Sequence, residues 1–153
     1  MEKNRKETAL KMEKDAFDEL IDELQKKIDE DEKLTYSKKV IEEYKNPVNF
    51  RHIKKPDAIG EIRGPCRDTM KIMLCIKEKV ITDASFWTDG CGASIACGNK
   101  LTSMIKGKKL DYAKNISNVD LVKSLDGLPK EHEHCAVLAT NTLRKALEKY
   151  HKK

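Results

Sequence analysis

The sequence predicts an α+β fold: a three-stranded antiparallel sheet covered on one face by helices, preceded by an amphipathic helical extension. Three observations carry that expectation. Residues 1–34 contain no glycine or proline and repeat apolar side chains at helical spacing. Three short segments rich in β-formers then follow one another, separated by turn residues. After them come stretches whose apolar residues return to helical periodicity.

The extension, 1–34, places Leu10, Phe17, Leu20, Ile21, Leu24 and Ile28 on one stripe, with charges between them. It carries eight Lys or Arg against twelve Asp or Glu, whereas the rest of the chain carries twenty-three against fourteen. That asymmetry divides the chain into the extension and a basic domain, 35–153. The acidic run Asp29 to Glu32 is expected to fray the helix end. The apolar stripe could pair with a second copy as a short coiled-coil element, a route to a homo-oligomer.

From Tyr36, YSKKVIEEYKNP reads as a short helix closed by Asn46 and Pro47, because a residue before proline is pushed out of helical geometry. DAIGEIRG, TMKIMLCIK and VITDASFWT read as the strands of a meander. In the middle one, Met70, Ile72, Leu74 and Ile76 alternate with Lys71, Met73, Cys75 and Lys77, so the first set should be buried and the second mostly wet. GASIACGNKLTSMIKG, VDLVKSLDG and HCAVLATNTLRKALEKY are the covering helices, the last with a stripe of Val137, Leu138, Leu143, Ala146 and Leu147.

A chain of 153 residues, 39% hydrophobic and 37% charged, can bury one core and stay in water. No apolar run is long enough to span a bilayer, and the N-terminus lacks the apolar centre of a secretory signal, so no membrane role and a cytoplasmic location are expected. Five cysteines without a regular framework argue for reduced thiols in metal or redox chemistry. The run Lys106–Lys109 has no interleaved aromatic residues and reads as a solvated face, which excludes nucleic acid as the expected partner. His52 and His151 read as surface residues, and Cys75 and Cys97 as packing residues.

Three cysteines stand apart because each falls at an element end. Cys66 follows Gly-Pro just before a strand, Cys91 lies between two glycines where strand hands over to helix, and Cys135 opens the last helix after His134. A helix N-terminus favours the thiolate, the form that binds metal or attacks sulfur. With Asp68 beside Cys66, and EHEHC concentrating imidazoles and carboxylates beside the third thiol, the candidate ligands are Cys66, Asp68, Cys91, His134 and Cys135. The thiols are 25 and 44 residues apart, unlike the close pairs of a zinc finger, so only the fold can gather them. A hard carboxylate among soft thiolates suits a metal group meant to be released.

YSKKVIEEYKNPVN, GPCRD, TDGCGASIACGN and EHCAVLATNTLRKAL resemble, in order and spacing, the signatures of the IscU/NifU-type iron–sulfur cluster scaffold proteins, from Tyr36 to about Tyr150. The resemblance implies a non-catalytic carrier on which a cysteine desulfurase delivers persulfide sulfur, iron is added, and a labile 2Fe-2S cluster is built and passed to apo-proteins. It further implies an iron donor and an electron donor such as ferredoxin. Cys66, Cys91 and Cys135 correspond to the family cysteines, Asp68 to the aspartate beside the first, and His134 to the histidine beside the third; Cys135 is the implied persulfide acceptor. Such an acceptor should be exposed and mobile. Zinc is able to occupy the same ligands.

The bacterial IscU proteins carry Leu-Pro-Pro-Val-Lys before the third cysteine, which recruits a dedicated heat-shock-type chaperone. Here the same place reads LPKEHEHC, so that partner is not carried over, and the form is closer to NifU-like scaffolds without the motif. The related SufU proteins insert residues between the second and third cysteines and hold zinc as sulfur acceptors; the interval here is short, which favours a scaffold. A zinc-dependent sulfurtransferase of that kind remains the alternative, and a module whose zinc only holds the fold is a third reading.

Overall fold

In the computed structural model, which describes residues 1–151, helix α1 runs unbroken over Glu2–Thr35. The expected fraying does not occur: Gln25 Nε2 donates to Asp29 Oδ1 at 3.0 Å and Thr35 Oγ1 to the Asp31 carbonyl at 2.9 Å, which tie the acidic turn to the helix. The helix buries no residue, and its stripe of Phe17, Leu20, Ile21, Leu24 and Ile28 stands exposed. The chain separates into two units, Met1–Thr35 and everything from Tyr36 onward.

In the second unit, Ser37 caps α2 (Lys38–Lys45) by accepting from the Val40 N–H, and Asn46 ends it. Strands β1 (Ala58–Arg63), β2 (Thr69–Lys77) and β3 (Val80–Thr88) pair antiparallel in sequence order. Helices α3 (Gly92–Ile105), α4 (Leu110–Asn115), α5 (Asn118–Ser124) and α6 (Glu133–His151) follow, with a 3-10 turn at Lys130–His132. This is the expected α+β fold: α6 packs on β1 and α3 on β3, enclosing a core of Met70, Ile72, Leu74, Phe86, Leu101, Leu143 and their neighbours. A Cβ at Gly60 would come within 2.3 Å of the Thr142 carbonyl oxygen, so glycine is what lets α6 lie directly on β1.

Three details differ from expectation. Met73 is fully buried although it lies outside the core cluster, in the central strand between Ile59 and Ser85 at its own register. Val137 lies off the α6 stripe and is exposed, while Cys135, Ala139, Thr142 and Ala146 complete the buried face. The lysine run is more than a solvated face: Lys106 Nζ bonds to Asn49 Oδ1, and the Lys108 carbonyl accepts from the Ile81 N–H at 2.8 Å. Helix α4, just beyond it, is six residues long and too short to leave a periodic signal.

The β1–β2 hairpin is closed by GPCRD. The Gly64 carbonyl accepts from the Arg67 N–H at 3.0 Å, which puts Pro65 at the second turn position, where its fixed φ fits, and Cys66 at the third. Arg67 follows with φ 65. The thiol therefore sits at an exposed hairpin tip. Thr69 is tied to the end of β3 by its N–H on Asp89 Oδ1 at 2.8 Å and its carbonyl on Thr88 Oγ1 at 2.8 Å, which fixes the tip relative to Cys91.

Candidate functional site

Three element ends converge at one rim of the domain. Cys91 is the N-cap residue of α3, but its side chain makes no capping bond, which leaves the sulfur available. Cys135 is the third residue of α6, and Cys66 comes from the hairpin tip. His134 Nε2 lies 3.3 Å from Cys66 Sγ and 3.7 Å from Cys135 Sγ. Ser94 Oγ, one turn into α3, donates to Cys135 Sγ at 3.4 Å and stands 4.0 Å from Cys91 Sγ. Asp68 leans over the α3 start: a Cβ at Gly90 would meet Asp68 Oδ2 at 2.9 Å, so glycine makes the space for that carboxylate.

All five sequence-proposed ligands thus lie around one rim, and two of the thiols, Cys66 and Cys91, face solvent. Cys135 differs from expectation. It is fully buried rather than exposed, because its position on α6 belongs to the stripe facing the core with Ala136 and Ala139.

The thiols also differ in acidity. The bond from Cys135, aided by the Ser94 and Ala93 N–H groups at the α3 start, outweighs partial burial and holds Cys91 well below the usual thiol range. Cys135 is pushed up, first by its bond to Cys91 and then by burial. One proton shared between them is best held on Cys135, with the negative charge on Cys91 against the helix N-terminus. Cys97, inside α3, is pushed up to about 12 by burial, an inert packing residue. His52 and His151 are exposed, as expected of surface residues.

Two residues escaped the sequence reading. Ser94 joins Cys91 to Cys135, as above. His132, at the end of the 3-10 turn, puts Nδ1 at 3.9 Å from Cys91 Sγ, and its Nε2 is 3.2 Å from the Tyr36 hydroxyl. Among the described residues, Cys91, His132 and Cys135 are the trio whose ligand atoms all lie within 4.8 Å of one another. The first histidine of EHEHC was the available signal, although spacing could not say which imidazole faces which thiol.

A small sheet-and-helix domain that brings thiols from three separate element ends to one rim defines a class: thiol-bearing α+β domains whose candidate metal-binding groups are gathered by the fold. Residues 35–153 match the NifU-like N terminal domain, and the chain belongs to that family. It is 39% identical over 119 residues to the iron-sulfur cluster assembly scaffold protein IscU 1 of Archaeoglobus fulgidus, covering 77% of this chain and 78% of that one. It is 37% identical over 125 residues to the scaffold protein IscU of Escherichia coli, covering 78% and 97%. The N-terminal NifU-like protein of Brucella abortus superposes with a TM-score of 0.61 at 16% identity, over 76% of this chain and 94% of that structure, a likeness of fold. Among the described residues, no helix is long and apolar enough to cross a membrane.

Proposed function

We propose that this protein is a scaffold for iron–sulfur cluster assembly, on which a 2Fe-2S cluster is built from iron and desulfurase-derived sulfur and passed to apo-proteins. The observation that supports it best is the convergence of Cys66, Cys91 and Cys135, from three element ends, around His134 and Ser94. Thiolates hold iron and sulfide strongly, whereas the Asp68 carboxylate holds iron weakly, and a mixed set favours retention followed by release. Five free thiols suit the reducing cytoplasm.

Sulfur delivery is assigned to Cys135. Its thiolate attacks the outer sulfur of a persulfide on a cysteine desulfurase; a new S–S bond forms on Cys135, the donor's S–S bond breaks, and the desulfurase cysteine leaves as thiolate. Because Cys135 is buried and its thiol is pushed up, acceptance needs the rim to open around it and the proton to leave. The two sulfane sulfurs of a cluster need four electrons to leave as sulfide: oxidation of the two ferrous ions to ferric supplies two and a ferredoxin-class donor the other two, and as each Cys135 S–S bond is cleaved the cysteine returns to thiolate.

The second reading, a zinc-bound sulfur acceptor, draws on the Cys91–His132–Cys135 trio, whose sulfur and nitrogen donors suit zinc. Anaerobic reconstitution with ferrous iron, cysteine and a desulfurase separates the two. A scaffold develops visible 2Fe-2S absorption and loses it to an apo-ferredoxin. A protein that stimulates desulfurase turnover while retaining no iron is the sulfur acceptor instead, and the scaffold reading fails.

A further inference from the structure

We infer that Cys91, His132 and Cys135 form a seat for a single divalent cation of the zinc or ferrous class, with His132 binding through Nδ1 and oriented by Tyr36. This rests on reading the thiol rim as metal-holding, and it moves the imidazole of the first-loaded metal from His134 to His132.

The geometry is close to what a tetrahedral ion needs. Metal–sulfur and metal–nitrogen bonds of ordinary length place sulfur and nitrogen about 3.6 Å apart, and two sulfurs about 3.8 Å apart. Cys91 Sγ and His132 Nδ1 are already 3.9 Å apart, and no pair in the trio exceeds 4.8 Å. A contraction of about 1 Å or less closes the seat. Two sulfurs and one imidazole nitrogen select zinc or ferrous iron over hard cations such as magnesium or calcium.

The second nitrogen of the ring decides the tautomer. With the proton on Nε2, His132 donates to the Tyr36 hydroxyl at 3.2 Å, and the Nδ1 lone pair is left facing Cys91. Tyr36 also packs beside the ring, with centroids 5.6 Å apart. His134 Nε2 is nearest Cys66, at 3.3 Å, and lies 3.7 Å from Cys135 Sγ, whereas Cys91 has its imidazole contact with His132. Its ring lies 6.4 Å from that of His132 and tilted by 30°. His132 therefore serves the Cys91 side of the rim, and His134 stands between Cys66 and Cys135. A cation seated at Cys91, His132 and Cys135 leaves Cys66, Asp68 and His134 for a second metal and for incoming sulfur, and the exposure of Cys91 gives solvent access to the seat.

Anaerobic titration of the full chain with Co2+ tests this. The expected result is one Co2+ per chain with thiolate-to-cobalt charge-transfer bands, and X-ray absorption showing two sulfurs and one imidazole. His132→Gln should weaken binding by at least about tenfold and remove the imidazole scattering, and Tyr36→Phe should weaken it by about tenfold and shift the cobalt ligand-field bands. His52→Gln, a surface control, should match wild type. His134→Gln should weaken binding less than His132→Gln; the reverse order overturns the seat, as does unchanged binding in a folded His132→Gln protein. A Tyr36→Phe protein with wild-type bands and affinity overturns the positioning role. If the wild type binds no Co2+, the metal-holding reading of the rim falls as well, whereas normal wild-type binding that ignores His132 leaves that reading intact.

Discussion

Ser94 Oγ donates to Cys135 Sγ at 3.4 Å from inside a fully buried position, so α3 and α6 are joined at the rim by a hydroxyl whose neighbour on the other side is Cys91. Ser94→Ala removes that donor. The bond favours the Cys135 thiolate, so its loss should make Cys135 less reactive while the fold survives, since an alanine fits the same space. Timed alkylation with mass mapping should show Cys135 modified several-fold more slowly than in wild type.

Asp68→Ala is expected to keep its cluster longer than wild type and to hand it more slowly to an apo-ferredoxin. The carboxylate beside Gly90 is the weak, hard member of the proposed ligand set, and its removal would let an imidazole or water take the place. Loss of visible absorption after mixing with the acceptor measures this, and equal transfer rates would rule out control by Asp68.

The five thiols should separate cleanly. Cys66→Ser, Cys91→Ser and Cys135→Ser should lose cluster retention, whereas Cys75→Ser and Cys97→Ser should retain it. In the native protein near neutral pH, iodoacetamide should label Cys66 and Cys91 first and leave Cys97 unmodified, because its thiol is pushed up to about 12 by burial and it has no exposure. A folded Cys97→Ser protein without a cluster would refute the assignment.

Glu78 and Lys79 form the two-residue turn between β2 and β3 with φ 51 and 64, a conformation that favours asparagine and glycine. The pair Glu78→Asn and Lys79→Gly should stabilise the protein by about 1 kcal/mol, read from urea denaturation, without altering reconstitution.

Deleting Met1 to Leu34 should leave cluster assembly intact, because the thiols all belong to the unit that begins at Tyr36. Sedimentation should report whether the exposed stripe pairs copies: a full-length dimer that becomes monomeric on deletion supports it, and the same number of chains per assembly before and after excludes it.

The sequence alone was sufficient for the three strands, the longer helices and the types of candidate ligand, but not for α4 or the 3-10 turn. Alternation in 69–77 marked the central strand, and caps such as Ser37 and Asn46 marked α2, because these are local signals set by a few neighbouring residues. The thiols at element ends were legible for the same reason, and glycines around Cys91 announced a tight junction. What only the tertiary structure decided was which groups meet. His132 and His134 are two residues apart, yet one faces Cys91 and the other Cys66, a choice made by how the 3-10 turn docks against Tyr36, 96 residues earlier. The burial of Cys135 and of Met73 was likewise decided by packing from other elements, since periodicity within one segment states which residues share a face and not what comes to cover it.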